Sequence, residues 1–143
     1  IMLTGGSDHV WRAWGFPEGN ILMTGEGHTD WLSGCCFRPS GTHLVTSSAD
    51  TTVRLWDLSR YRSILTLRGH SRAVRGCCWH FCGQLVASAS MDCTSKIWDV
   101  NSQKCRYTLH GHKESVNSIE FLPFSSTMLT SSADKTLSLW DSR

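Results

Sequence analysis

Histidine, aspartate and a small hydroxyl residue are the residue types of a nucleophilic triad, and they recur together along this 143-residue chain. A hydroxyl nucleophile, an imidazole base and a carboxylate that orients the base can perform acyl transfer when they lie within hydrogen-bond reach. Each type returns every 42 residues, as from His28 to His70, and a tryptophan recurs in the same phase. The sets are His28, Thr46, Asp50 and Trp56; His70, Ser88, Asp92 and Trp98; His112, Thr130, Asp134 and Trp140; and Thr4, Asp8 and Trp14, whose histidine would precede Ile1.

The repetition itself argues against catalysis. An enzyme needs one such site, whereas three complete sets recur here. The G-x-S-x-G turn that presents the nucleophilic serine of many hydrolases is absent from the sequence. We therefore predict that no residue is catalytic and that the protein is not an enzyme.

The segments that carry these residues have the composition of short β-strands. They are rich in β-branched and aromatic residues, show no helical period, and are separated by turn-forming residues. In one copy of the repeat the segments run over Trp31–Phe37, His43–Ser48, Thr52–Trp56 and Arg62–Leu67. Four short strands in each copy predict a repeated four-stranded antiparallel sheet.

The recurring Gly-His and Trp-Asp pairs resemble the WD40 repeat. Gly27, Gly69 and Gly111 each precede a histidine of the repeat, and Trp56, Trp98 and Trp140 each precede an aspartate. The resemblance implies an all-β fold, a WD40 β-propeller present as an incomplete arc of about three and a half four-stranded antiparallel blades. We expect a single propeller segment over 1–143, with a partial blade over 1–25 and repeats over about 26–67, 68–109 and 110–143.

The same resemblance implies that each set forms a buried tetrad. In it the indole N–H bonds the hydroxyl, the hydroxyl bonds the histidine ring, and the histidine bonds the aspartate. Because these groups would satisfy one another, we expect no metal site and no cofactor. Trp14 is followed by Gly15 rather than aspartate, so the first set matches the pattern less well.

The resemblance also places three positions of each blade at the rim of the central channel. Most of them carry small side chains, but Trp31, Arg75 and Met91 are large. Tryptophan and arginine are frequent anchors of protein interfaces. We therefore expect these three residues to contact a partner, with local packing against its own loop as the alternative for Trp31.

The overall composition limits the classes of partner. The net charge is +2, from 14 basic and 12 acidic side chains, which does not favour nucleic acid or an anionic membrane. No apolar run is long enough for a transmembrane helix, and no leader resembles a signal peptide. The seven cysteines include two adjacent pairs and no C-x-x-C, so we expect reduced thiols rather than a disulfide framework.

Several stretches, among them 27–41 and 69–83, resemble WD-repeat proteins of the ciliary axoneme in particular. That resemblance implies a non-catalytic interaction scaffold of cilia and flagella, needed for motility and located in the cytoplasm and cytoskeleton. Its partners would be microtubule-associated proteins of the axoneme, and no small-molecule substrate is expected. The alternative is a substrate-recruiting adaptor of a ubiquitin ligase or another signalling complex. An arginine-rich rim would favour that alternative, and only Arg75 contributes to one.

An arc of blades leaves an apolar flank at each end. We expect the chain to be part of a longer propeller or to cover these flanks with a partner. Self-association through the open blade edges is a further expected mode, because exposed strand edges and apolar faces favour association.

Overall fold

The fold is built entirely from β-strands, in a computed structural model that describes residues 1–143. The first sheet contains β1 (Met2–Gly5), β2 (Trp11–Trp14) and β3 (Ile21–Gly25). The second contains β4 (Leu32–Phe37), β5 (His43–Ser48), β6 (Val53–Asp57) and β7 (Arg62–Leu67). The third contains β8 (Val74–Trp79), β9 (Leu85–Ser90), β10 (Ser95–Asp99) and β11 (Lys104–Leu109). The fourth contains β12 (Val116–Phe121), β13 (Thr127–Ser132) and β14 (Leu137–Asp141).

Within every sheet the strands follow chain order and pair antiparallel. The four sheets of three or four strands are not closed into a barrel, and they confirm the predicted all-β fold of WD40 blades in an incomplete arc. No helix of a length and apolarity suited to crossing a bilayer is present.

The aspartates that follow Trp56 and Trp98 form the turn after the third strand of the second and third sheets. Asp57 Oδ1 accepts hydrogen bonds from the backbone N–H of Ser59 at 2.8 Å and of Arg60 at 3.2 Å. Asp99 does the same for Asn101, at 2.9 Å. An aspartate side chain that bonds the backbone two residues ahead initiates a tight turn, so the residue type specifies where the chain reverses towards the outer strand.

The core lies between consecutive sheets. Strand β4 contacts β8, and β8 contacts β12, so the first strands of neighbouring sheets run side by side at the inner edge. One apolar cluster joins the second sheet, through Val53 and Leu55, to Trp79 and Trp98 of the third. A second cluster joins the third sheet to Phe121 and Met128 of the fourth, and a third joins the first sheet to the second.

Side chains that are buried in the second sheet have exposed equivalents at the same repeat positions in the fourth sheet. Val53 and Leu55 on β6 are fully buried because the third sheet packs over them. Leu137 and Leu139 occupy the same repeat positions on β14, and each is 68% exposed. The burial of these side chains is therefore determined by the neighbouring sheet and not by the sheet that carries them.

Truncation of Leu55 and of its repeat equivalent Leu139 should have different effects on stability. Leu55→Ala leaves a cavity between two sheets and is expected to lower the free energy of unfolding by about 2–5 kcal/mol. Leu139→Ala removes an exposed side chain and should change it by less than about 0.5 kcal/mol. Urea unfolding of the two variants measures both values, and equal losses would show that the sheets do not stack in this way.

Candidate functional site

The second sheet contains a continuous chain of polar contacts among the four residues of its repeat set. Trp56 Nε1 donates to Thr46 Oγ1 at 2.8 Å, and Thr46 Oγ1 lies 2.8 Å from His28 Nε2. His28 Nδ1 lies 2.7 Å from Asp50 Oδ2. The structure thus brings together a tryptophan from β6, a threonine from β5, an aspartate from the turn between these strands, and a histidine from the loop before β4.

Hydrogen-bond chemistry determines where the protons of this network lie. The ionised carboxylate of Asp50 only accepts, so His28 Nδ1 carries the proton of that bond. A neutral His28 then accepts at Nε2, and the Thr46 hydroxyl donates to it. Thr46 Oγ1 also accepts the indole N–H of Trp56. Every donor of the network therefore has an acceptor when His28 is neutral.

The electrostatics of the site agree with a neutral histidine beside an ionised aspartate. Burial lowers the pKa of His28, and the hydrogen bond to Asp50 opposes this only in part. Burial raises the pKa of Asp50, but hydrogen bonds from Thr52 and His28 outweigh it and lower that pKa to about 2. Thr52 Oγ1 donates to Asp50 Oδ1 at 2.6 Å, and the backbone N–H of Thr29 donates to Oδ2 at 3.1 Å.

The third and fourth sheets repeat this geometry. Ser88 Oγ lies 2.8 Å from Trp98 Nε1 and 2.8 Å from His70 Nε2, and His70 Nδ1 lies 2.8 Å from Asp92. In the fourth sheet, the equivalent distances are 2.8 Å for Trp140 Nε1 to Thr130, 2.8 Å for His112 Nε2 to Thr130, and 3.0 Å for His112 Nδ1 to Asp134.

The first sheet contains only part of the network. Trp14 Nε1 donates to Thr4 Oγ1 at 2.7 Å, as in the other sheets. The repeat position of its histidine precedes residue 1, and Asp8 forms an ion pair with Arg12 at 2.6 Å. The turn aspartate is therefore half exposed in this sheet and nearly buried in the second.

A second repeated hydroxyl was not identified from the sequence. Ser48, Ser90 and Ser132 donate to backbone carbonyls of the loop before their own sheet, at 3.0, 3.1 and 3.1 Å. Each also accepts the backbone N–H of the turn aspartate two residues ahead. Their 42-residue spacing was the available signal, and these serines add a second link between loop and turn.

The Asp–His–hydroxyl contacts have the order of a nucleophilic triad, but the hydroxyl is buried and inaccessible to a substrate. Thr46, Ser88 and Thr130 have no exposed surface. Each hydroxyl oxygen is also occupied by an indole N–H. An electrophilic carbon of a substrate has no access to these oxygens, so the arrangement can support the fold and position the loops but presents no nucleophile at the surface.

The first strands of the second, third and fourth sheets each carry a β-bulge. The pairing register shifts between Leu32 and Gly34, between Val74 and Gly76, and between Val116 and Ser118. Ser33, Arg75 and Asn117 lie inside these shifts, at positions that the resemblance places at the rim. A bulge leaves its extra residue outside the regular pairing and re-aims its side chain.

Two of the three predicted contact residues meet across neighbouring sheets. The guanidinium carbon of Arg75 lies 5.3 Å from the ring centroid of Trp31, within the range of a cation–π contact. Below them, Ser33 Oγ donates to the backbone carbonyl of Val74 at 2.6 Å, which also joins the two sheets. Trp31 and Arg75 are both half-buried, so each retains surface that a partner could reach.

The third predicted contact residue lies on an adjacent turn. The backbone N–H of Met91 donates to the carbonyl of Ala73 at 2.9 Å, which holds this turn against the loop that leads into β8. No group of three or more His, Cys, Asp or Glu side chains is arranged to hold a metal ion.

Comparison with known proteins gives one family match and two curated relatives. The model of the family "WD domain, G-beta repeat" matches residues 19–57, 61–99 and 103–141. Each match begins at the outer strand of one sheet and ends with the third strand of the next sheet, so one sequence repeat links two blades.

The relatives match over short segments. Sperm-associated antigen 16 protein of Homo sapiens is 65% identical over 41 residues, which is 29% of this chain and 6% of that protein. The protein of the same name from Mus musculus is 67% identical over 30 residues, which is 21% of this chain and 5% of that protein. The matched segments therefore span only a small part of the relatives' length.

Replacement of a turn aspartate should destabilise the chain only where the histidine network is complete. Asp92 accepts from His70, Thr94 and the backbone of Ser71. The amide of Asp92→Asn would present N–H groups to these donors, so we expect the free energy of unfolding to fall by about 1–3 kcal/mol. Asp8→Asn, at the same repeat position without the histidine, should cause a much smaller loss. Urea unfolding of the two variants measures the difference.

Acidification should weaken the fold through the buried histidines. Burial holds the pKa of His28 and of His70 below the ordinary value of 6.5, so the unfolded chain takes up protons first as the pH falls. The stabilisation is fully present above the unfolded pKa and is lost as the pH drops below it towards the folded pKa. We expect a lower urea midpoint at about pH 5.5 than at about pH 8. A midpoint that stays constant between these pH values would contradict the neutral-histidine network.

Proposed function

We propose a scaffolding function from one premise: the chain belongs to the WD40-repeat family. The proposal is that its repeats form a rigid arc, with blades over 1–25, 26–67, 68–109 and 110–143, that binds other proteins through exposed loops. The observation that carries it is the Trp31–Arg75 pair, which places an aromatic ring and a cation at a half-exposed junction between two sheets.

The burial of the tetrads supports a role without catalysis. An acyl-transfer site needs its nucleophile open to substrate, and the three hydroxyls are fully buried beneath their own loops. Proteins of this repeat family act in general as non-catalytic scaffolds. We therefore assign the tetrads a structural role, in which each one fixes the loop and turn that border the rim.

Contact geometry favours Trp31 and Arg75 as the centre of the binding surface. A half-buried tryptophan held in one orientation contributes a large contact area at low entropic cost. Arg75 lies over the ring and makes no ion pair, so its charge is available to a carboxylate of a partner. Met91 would add a flexible apolar contact nearby, as methionine does on many binding surfaces.

We further propose a place in the axoneme of cilia or flagella, with microtubule-associated proteins as partners. The support is the likeness of short segments to two proteins named as sperm-associated antigens. The alternative, an adaptor that recruits phosphorylated or acidic substrates to a ligase, requires several arginines at the rim. Arg75 is the only arginine among the rim positions, so the scaffold is favoured.

Single substitutions at the rim test this proposal. In pull-downs from ciliated cells, quantified by mass spectrometry, Trp31→Ala and Arg75→Ala should each reduce recovery of a shared set of partners by at least about tenfold. Arg72→Ala is the matched control, because Arg72 is an exposed arginine on the loop before the same sheet. If both rim variants retain every partner at the level of the control, the proposed surface is wrong.

A further inference from the structure

The inner strands have a second end, and a pair of phenylalanines is exposed there. Trp31 and Arg75 lie at the start of β4 and β8, whereas Phe81 and Phe124 lie just beyond the ends of β8 and β12. Their ring centroids are 6.4 Å apart across neighbouring sheets. Phe81 is 47% exposed and Phe124 is 90% exposed, and Leu122 beside them is 40% exposed. An aromatic pair with this exposure forms an apolar patch on the opposite face from the Trp31–Arg75 pair.

Phe124 adopts a backbone conformation that is unusual for a bulky residue. The turn Leu122–Ser125 is closed by a hydrogen bond from the N–H of Ser125 to the carbonyl of Leu122, and Phe124 has a φ of 53°. Glycine or asparagine is the usual residue at this position of such a turn, because a bulky side chain is strained there. Phe124 thus combines backbone strain with near-complete exposure.

The ring of Phe81 packs against buried aromatic side chains, which fix its position. The ring of His80 contacts Phe81 at a centroid distance of 4.4 Å and meets Phe121 edge-to-face at 4.8 Å. His80 and Phe121 are themselves buried. The exposed ring of Phe81 therefore rests on a fixed aromatic base, which lowers the entropic cost of binding to it.

The unpaired cation of Arg38 borders this patch. Arg38, in the equivalent turn of the second sheet, lies over the ring of Trp79 at 5.7 Å and against Gly83, two residues from Phe81. It forms no ion pair, and its one side-chain hydrogen bond is to His43 Nδ1 at 3.5 Å. The three turns, residues 38–42, 80–84 and 122–126, contain no acidic side chain. The charge complement of this surface is therefore a carboxylate.

We propose that Phe81, Phe124 and Leu122, with Arg38 at their border, form a second protein-binding surface. It would take an extended peptide segment in which an acidic residue lies next to apolar ones. The apolar side chains pack on the two phenylalanines, and the carboxylate pairs with Arg38. The six residues of an inner strand separate this surface from the Trp31–Arg75 pair by about 17 Å. The chain could therefore hold one partner on each face at the same time.

A labelled peptide tests this surface directly. The probe is a fluorescein-labelled hexapeptide in which glutamate alternates with leucine and phenylalanine, and binding to the whole chain is followed by fluorescence anisotropy. Phe124→Asn should weaken binding at least about tenfold, as loss of an aromatic anchor does. Because asparagine tolerates a positive φ, this variant should keep or raise the urea midpoint, which separates lost binding from lost folding.

Matched controls distinguish this surface from other exposed aromatics. Tyr61 also has a positive φ, of 52°, and is 71% exposed, but it lies on an outer turn. Tyr61→Asn is expected to leave peptide affinity within about twofold, because a contact outside the patch adds little. Arg38→Gln should weaken binding and reduce its dependence on salt. Trp31→Ala should not change the affinity for the peptide. A negative result for the Phe81–Phe124 surface would therefore leave the proposed Trp31–Arg75 surface untouched.

The proposal is overturned by either of two results. One is that Phe124→Asn binds the glutamate peptide as tightly as the parent chain does. The other is that a peptide with lysine in place of glutamate binds equally well, since Arg38 would then not select charge.

Discussion

One hydroxyl group in each of the second, third and fourth sheets is the contact on which the rest of the arrangement depends. It accepts the indole N–H of a tryptophan on the third strand and donates to a histidine in the loop before the first strand. A hydroxyl has only one proton to donate, so this arrangement requires a neutral histidine that is protonated at Nδ1. That proton then faces the turn aspartate, which is ionised. A loop, a turn and two strands are thereby joined through buried groups that would be costly to leave unpaired.

The same residue types would catalyse a reaction if they were arranged at a surface. The order of contacts from aspartate to histidine to hydroxyl is that of a nucleophilic triad. Here the indole occupies the oxygen that would attack, and burial removes access to it. Access to solvent, rather than residue identity, decides between a catalytic and a structural role. In the first sheet, where the repeat position of the histidine precedes residue 1, Asp8 pairs with Arg12.

Stacking of the sheets creates both candidate binding surfaces. At one end of the inner strands, a bulge places Arg75 outside the regular pairing, and the neighbouring sheet supplies Trp31. At the other end, two turns from neighbouring sheets bring Phe81 and Phe124 together. Neither surface belongs to a single repeat. Apolar clusters between sheets fix their relative positions, so a partner at either end would bind a junction rather than a loop alone.

The sequence by itself determined the fold class, because a 42-residue period of strand and turn signals is a property of the chain. It also predicted the bounds of β5 and β7, and it placed the start of β4 one residue early because Trp31 is apolar. Only the tertiary structure decided that Arg75 lies over Trp31, that Leu55 is buried while Leu139 is exposed, and that Phe124 adopts a positive φ. The physical reason is that periodicity repeats residue types, whereas burial, register shifts and cross-sheet contacts depend on which sheet packs beside each one.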